Sequence, residues 1–325
     1  MSEKIRNFAA DCRHCVTPSS IILRFPLTTG HASLPISPNT HHAIKQQYLQ
    51  NMEASKILFI SQEVAPYLPD TPQSILGRDI PQEVHGKKLE VRIFTPKYNN
   101  INERRNQLHE VIRLSGINIS IDDTDHPLII KVATLLPSRM QVYFIDNDDF
   151  FQPTPGKGLE IDEFPADNDE RMMFFTTGVI ETVKKLRWPP AVVQCSGWIS
   201  LLAPMYIKVK YADDPTFEGS KIVVALHPEK FEGTLDPRMA EKLRMDGFTD
   251  EQLGLLAEGP VDTVALYKRA IDYADAIMEV ADGVDPEILE YARNSGKLVA
   301  DGREGKDRKE RNRAFYTALI EGEED

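Results

Sequence analysis

Four groups of residues in this chain have types and spacings that could do chemistry. Cys12-Arg13-His14-Cys15 could be half of a zinc knuckle, but a closed site needs a second ligand pair and none follows at suitable spacing. Cys195 could be a nucleophile only in an electropositive setting with a base beside it; a buried, inert thiol is the plainer reading. Asp122-Asp123-Thr124-Asp125 reads as a turn closed by local side-chain hydrogen bonds rather than as a metal site. Glu63 follows a strong apolar run, at the carboxyl end of an expected strand, which is where open α/β sheets bind ligands. No G-x-G-x-x-G follows a strand, no G-x-x-x-x-G-K-[ST] is present, and G-x-S-x-G is absent. Dinucleotide-binding, P-loop and α/β-hydrolase readings therefore lose their main support.

The elements that would position these groups come from hydrophobic patterning. Lys56–Ser61 is a continuous apolar run of the kind buried on both faces of a parallel sheet. Further strands are predicted at 89–94, 129–133, 142–145, 191–194, 221–226 and 276–280, with an edge strand or hairpin arm at 116–121. A helix is predicted from Asp167, which could cap it with Glu170 three residues on, and Met172, Phe175, Val179, Val183 and Leu186 form its apolar face. Trp188-Pro189-Pro190 ends that helix, and two more are predicted at 200–210 and 261–273. Strands alternating with helices give an α/β fold with a mostly parallel, Rossmann-like sheet flanked by helices.

The 325 residues divide into three parts. Residues 1–51 hold four prolines, at 18, 26, 35 and 38, and no sustained period; they read as a disordered extension or as upstream sequence translated ahead of a start at Met52. Residues 52–299 form the domain. Residues 300–325 form a charged C-terminal tail, a solvated helix or a frayed end, with an apolar patch at Phe315–Ile320 that could dock back. Net charge is −12, which argues against nucleic acid and anionic membranes as partners. No apolar run approaches the roughly 18–20 residues of a membrane span, and three cysteines suit a reducing cytoplasm.

The loops and strand ends resemble one family. Ser61-Gln62-Glu63-Val64-Ala65-Pro66 resembles the opening S-x-E-[VI]-x-P of glycogen and starch synthases. In the same order follow Val91–Tyr98, like the family's second strand and P-x-Y, and Val142–Asp146, like its Y-x-I-D strand. Asp167–Arg171 with Phe174 and Phe175 resembles its D-N-x-x-R-F helix, and Trp188–Val193 with Trp198 resembles W-x-P-D-V-V-H and the tryptophan beyond. Val223–His227 resembles its T-V-H strand, and Ala274–Ile277 its A-D-x-I. The likeness covers about residues 56–299, the first half of such an enzyme. It implies one half of a GT-B architecture, glucosyl transfer from ADP-glucose to an α-1,4-glucan, and ADP-glucose and α-glucan as ligands, with no cofactor. By that resemblance Glu63 and Asp146 are candidates for sugar hydroxyls, Tyr98 and Trp198 for stacking on glucose or for packing, and His227 for a sugar contact or a satisfied core histidine. No catalytic residue is assigned.

The chain also departs from the family. The K-T-G-G that helps cradle the donor's diphosphate falls at Pro69, Asp70, Thr71 and Pro72, and an aspartate expected soon after falls at Ile75. A cation has become proline, an acid stands beside it, and two prolines have removed N–H donors. H-x-H-D-W-H has become Gln194-Cys195-Ser196-Gly197-Trp198-Ile199. After Val299 too few residues remain for a second Rossmann-like domain. The expectation is a protein inactive alone or dependent on a partner that supplies that domain; the alternative is a non-catalytic α-glucan-binding or regulatory module.

Overall fold

The computed structural model describes residues 54–151 and 166–322. The Cys12–Cys15 motif and both readings of 1–51 lie outside the described residues.

Among the described residues, ten strands are laid in one α/β architecture. They are β1 (Ser55–Ser61), β2 (Leu89–Pro96), β3 (His109–Glu110), β4 (Ile117–Ile121), β5 (Thr124–Leu135), β6 (Met140–Asp146), β7 (Val192–Ser196), β8 (Lys221–Leu226), β9 (Ala276–Glu279) and β10 (Leu298–Asp301). The order across the sheet is β10-β9-β8-β7-β1-β2-β6-β5-β3, with β4 paired to β5. Every pairing from β10 to β6 is parallel; β5 with β6, β3 and β4 is antiparallel. The mostly parallel sheet with a short antiparallel extension is the predicted one. Ile57, Leu58, Phe59 and Ile60 are all at most 1% exposed, because helices cover both faces.

Among the described residues, the six helices longer than a turn or so are α1 (Pro72–Val84), α2 (Asn168–Leu186), α3 (Met239–Met245), α4 (Thr263–Tyr273), α5 (Pro286–Asn294) and α6 (Arg308–Glu321). One apolar cluster joins α2, α4 and the 199–211 segment to Leu58, Ile60, Val193 and Val224 on one sheet face. A second joins Ile80, Val84 and Tyr316 to Ile57, Phe59, Val192 and Val223 on the other. The chain runs β1-β2-β6 to one side, then crosses through α2 to β7 on the far side of β1. That reversal opens a crevice at the carboxyl ends of β1 and β7.

Several local expectations are corrected. Asp167 does not cap α2 with its side chain; its carboxylate instead takes a bidentate pair from Arg171 four residues on, at 3.0 and 3.1 Å. Charge pairing at i,i+4 has displaced the capping geometry. The helix predicted at 200–210 is broken into a 3-10 turn at Trp198–Ser200, one α turn at Ala203–Met205 and a π turn at Tyr206–Lys210. Pro204 stands inside that segment and has no N–H for a regular ladder. The turn expected at Asp122–Asp125 is present between β4 and β5, with Asp122 at φ 52° and Ser120 Oγ donating to the Asp125 carboxylate, while the Asp122 carboxylate is paired to Arg238 at 3.1 Å. Residues 298–301 are a strand paired to β9, and the charged run beyond is helix α6, whose Tyr316 is fully buried edge-on to Phe59.

Candidate functional site

The turn from β1 into α1 decides what the crevice can hold. Gln62 N–H donates to Ser196 O at 2.9 Å, locking the end of β1 to the end of β7. The next residue, Glu63, is buried, and its carbonyl lies directly under Gly77 of α1: a Cβ there would stand 2.1 Å from Glu63 O. So glycine at 77 lets α1 close onto the strand end.

The first turn of α1 is capped by the chain itself. Thr71 is the N-cap: its Oγ1 accepts from Ser74 N–H at 3.0 Å, and Ser74 Oγ accepts from Thr71 N–H at 2.9 Å, a reciprocal capping box. Thr71 Oγ1 also donates to the Glu63 carboxylate at 2.6 Å. Ile75 N–H is taken by Thr71 O, and Pro72 has no N–H. Of the four N–H groups an α-helix leaves open at its start, these contacts leave only that of Gln73 unaccounted for. This is the place where sequence alignment put the family's lysine and glycines. The helix start was legible, since Thr-Pro-x-Ser places a capping hydroxyl ahead of a proline at the first helical position, yet the segment was read only as a broken cradle.

The opposite wall is made by β7 and β8. Ser196 Oγ lies 2.7 Å from His227 Nε2, and both residues are buried. The pair has the look of a nucleophile and its base. However, His227 Nδ1 is 3.8 Å from Glu229 Oε2, beyond hydrogen-bonding range, so no third group orients the ring. Burial pulls His227 down to about 4, so it is neutral near pH 7 and contributes no positive charge. Four buried atoms here have no hydrogen-bond partner among the described residues: Ser61 Oγ, Gln62 Oε1, His227 Nδ1 and Glu229 Oε2.

The five residues singled out by sequence are not one constellation. Glu63 and Tyr98 lie close enough that, after burial, the Glu63 charge is the next cause raising the Tyr98 phenol. Tyr98 packs edge-on against Phe151 at 6.2 Å. Asp146 is buried in a separate ionic chain: Lys131 pairs with it at 2.8 Å and with Glu103 at 2.7 Å, and Glu103 also takes Lys97 at 3.0 Å. Trp198 meets Phe231 edge to face at 5.7 Å. Cys195 is fully buried on the opposite face of β7, and burial raises its thiol far above the usual range, which keeps it protonated. Sequence reasoning passed over Gln62, Gln73 and Ser196, since amides and a hydroxyl carry no motif.

One buried cation holds the β8–α3 loop in place. Lys242 of α3, 1% exposed, reaches Asp169 at 2.7 Å, Glu170 at 2.6 Å and Asp236 at 3.1 Å. Burial opposes its charge, but the three carboxylates win and its pKa is raised. The contact ties the start of α2 to the segment that follows His227.

A doubly wound, mostly parallel sheet with its crevice at the β1/β7 reversal is the architecture of a GT-B glycosyltransferase catalytic domain. The solved catalytic domain of starch synthase IV from Arabidopsis thaliana, bound to ADP and acarbose, shares it with a TM-score of 0.61 at 16% identity, over 77% of this chain and 51% of that one. Within that class, the chain belongs to the family described as the starch synthase catalytic domain, whose profile matches residues 56–300. It is 32% identical over 238 residues to a glycogen synthase of Chlorobium luteolum, covering 72% of this chain and 47% of that protein. A glycogen synthase of Chlorobium phaeovibrioides is 31% identical over 245 residues, covering 74% and 48%. The chain thus spans about half the length of the curated relatives it matches. Among the described residues, no helix is long and apolar enough to cross a membrane.

Proposed function

We propose that this protein is a glycogen- and starch-synthase-like member of its family that does not, by itself, transfer glucose from ADP-glucose to an α-glucan. The observation that carries this is the self-capped start of α1. A leaving nucleoside diphosphate needs cations or free N–H groups aimed at it. Here Ser74 N–H is spent on Thr71 Oγ1, proline stands at 69 and 72, Asp70 lies beside them, and a single N–H, that of Gln73, is left for an anion. The histidine at the adjacent wall is neutral. Donor contacts would have to come from outside these residues, and a partner protein supplying a second GT-B domain is the natural source, in the cytoplasm where the sparse cysteines stay reduced.

The test is transfer of labelled glucose from ADP-glucose to glycogen by the purified full chain. The expected result is no turnover above a no-enzyme control. Robust transfer without any partner would overturn the proposal. The second reading, a non-catalytic α-glucan-binding module, is favoured by the unpartnered neutral atoms of Ser61, Gln62 and His227 at the strand ends.

A further inference from the structure

The amino end of the sheet, opposite the crevice, holds a separate polar cleft. Helices α4 and α5 both finish there, at Tyr273 and Asn294, beside the starts of β9 and β10. The cleft encloses about 260 Å3 and is lined by Asp272, Tyr291, Asn294, Ser295 and Lys297. Lys297 Nζ donates to Ile271 O and, at 2.7 Å, to Asp272 O, two carbonyls in the last turn of α4. Both acceptors are neutral. The carboxylates nearby are engaged elsewhere: Asp272 accepts from the Tyr291 hydroxyl at 2.6 Å and from Arg269 at 2.9 Å, and Asp275 pairs with Lys208 at 2.8 Å. Other lysines of the chain are held differently. Burial opposes the charge of Lys131, Lys184 and Lys242, but the carboxylates they touch outweigh it and raise all three. At Lys297 burial is the largest influence and prevails: its amine is lowered, with Lys208 adding to the fall against the pull of Asp272 and Asp275.

We infer that Lys297 is an acyl-acceptor amine, a modification site whose Nζ takes an acyl group from a small activated donor, an acyl phosphate. The geometry sets up the attack. When Nζ is neutral, two N–H bonds stay on the α4 carbonyls, so the lone pair points away from them, toward the cleft that the side chain lines. An amine lowered in this way is unprotonated more of the time near neutral pH, and only that form is a nucleophile. The cleft is smaller than the roughly 300–1,000 Å3 of pockets for drug-sized ligands, so a donor of a few heavy atoms suits it. The C–N bond forms as the acyl C–O bond breaks; phosphate leaves with the electron pair, and the surplus proton of the amine passes to water. The product amide keeps one N–H and no charge, so one α4 carbonyl loses its donor and the helix end loses its cation. The site lies at the other end of the sheet from the crevice and is independent of the proposed function.

The experiment is incubation of the full chain with acetyl phosphate near neutral pH, with the occupancy of each lysine followed over time by peptide mass spectrometry. It is run on the folded chain, on the chain unfolded in guanidinium chloride, and on an Asn294→Asp variant whose folding is checked by thermal unfolding. In the folded chain Lys297 is expected to acetylate several-fold faster than the solvent-exposed Lys87 and Lys88. That lead should vanish in the unfolded chain, where no cleft exists. It should also shrink several-fold in the folded Asn294→Asp protein, where a carboxylate in the cleft favours the ammonium. Acetylation of Lys297 no faster than that of Lys87 and Lys88 in the folded chain would overturn the inference. So would a lead that persists after unfolding, or one undiminished in Asn294→Asp.

Discussion

Thr71 shows how one hydroxyl can decide between a ligand site and a closed turn. It caps Ser74 N–H and donates to Glu63, so the first turn of α1 is capped without a bound anion except at Gln73 N–H. Thr71→Ala should therefore cost about 1–2 kcal/mol in urea unfolding, the usual loss for a cap, with an unchanged m-value. His227 makes a second prediction at this scale. Its pKa is about 4 folded against 6.5 for a free imidazole, so below pH 6.5 the unfolded state takes up the proton first. Stability should fall as pH drops from 6.5 toward 4, by about 3 kcal/mol from this group, and change no further from it below 4. His227→Gln should remove that share of the slope, measured as the difference between the two denaturation profiles. An equal slope in both proteins would show that the ring is not held neutral.

At the scale of elements, α6 is the piece that sequence reasoning valued least. Its charged composition suggested a solvated helix and its apolar patch a docked one; Tyr316 is fully buried, donates to Gln194, and packs against Phe59. Arg308 forks onto Glu83 at 2.6 and 2.9 Å, and Asn312 joins it at 2.9 Å, so α6 is clipped to the end of α1. Tyr316→Ala should destabilise by about 3–5 kcal/mol through cavity formation and an orphaned Gln194, and thermal unfolding would read it directly. A cost under about 1 kcal/mol would mean that α6 is not docked. The apolar patch at 315–320 was legible and docks through Phe315, Tyr316, Leu319 and Ile320; the ionic clip was not, because Arg308 and Asn312 meet Glu83 from the far end of the sequence. The strands were legible because burial on both faces leaves unbroken apolar runs, as at Ile57–Ile60. The 198–210 segment was not, because its broken turns share the apolar composition of a regular helix.

On the scale of the whole molecule, the sheet order sets the crevice and the family sets the expectation, while the residues at the strand ends depart from it. Glu63 lies near Tyr98 at the end of β1 and His227 pairs with Ser196 at the end of β7, whereas Asp146 is committed to Lys131 and Trp198 to Phe231. Position in the fold was readable from motif order; side-chain commitment was not, since ion pairs such as Lys131 with Asp146 join residues on neighbouring strands. The central claim is that the β1–α1 turn cannot hold a nucleoside diphosphate, and the most direct measurement is calorimetric titration of ADP into the purified full chain at low salt. The account predicts no saturable heat, a Kd no tighter than about 1 mM, or about −4 kcal/mol. A micromolar Kd that is lost when Asp70 and Thr71 are both changed to alanine would contradict it, because the phosphate would then be seated on the very turn that the structure shows closed.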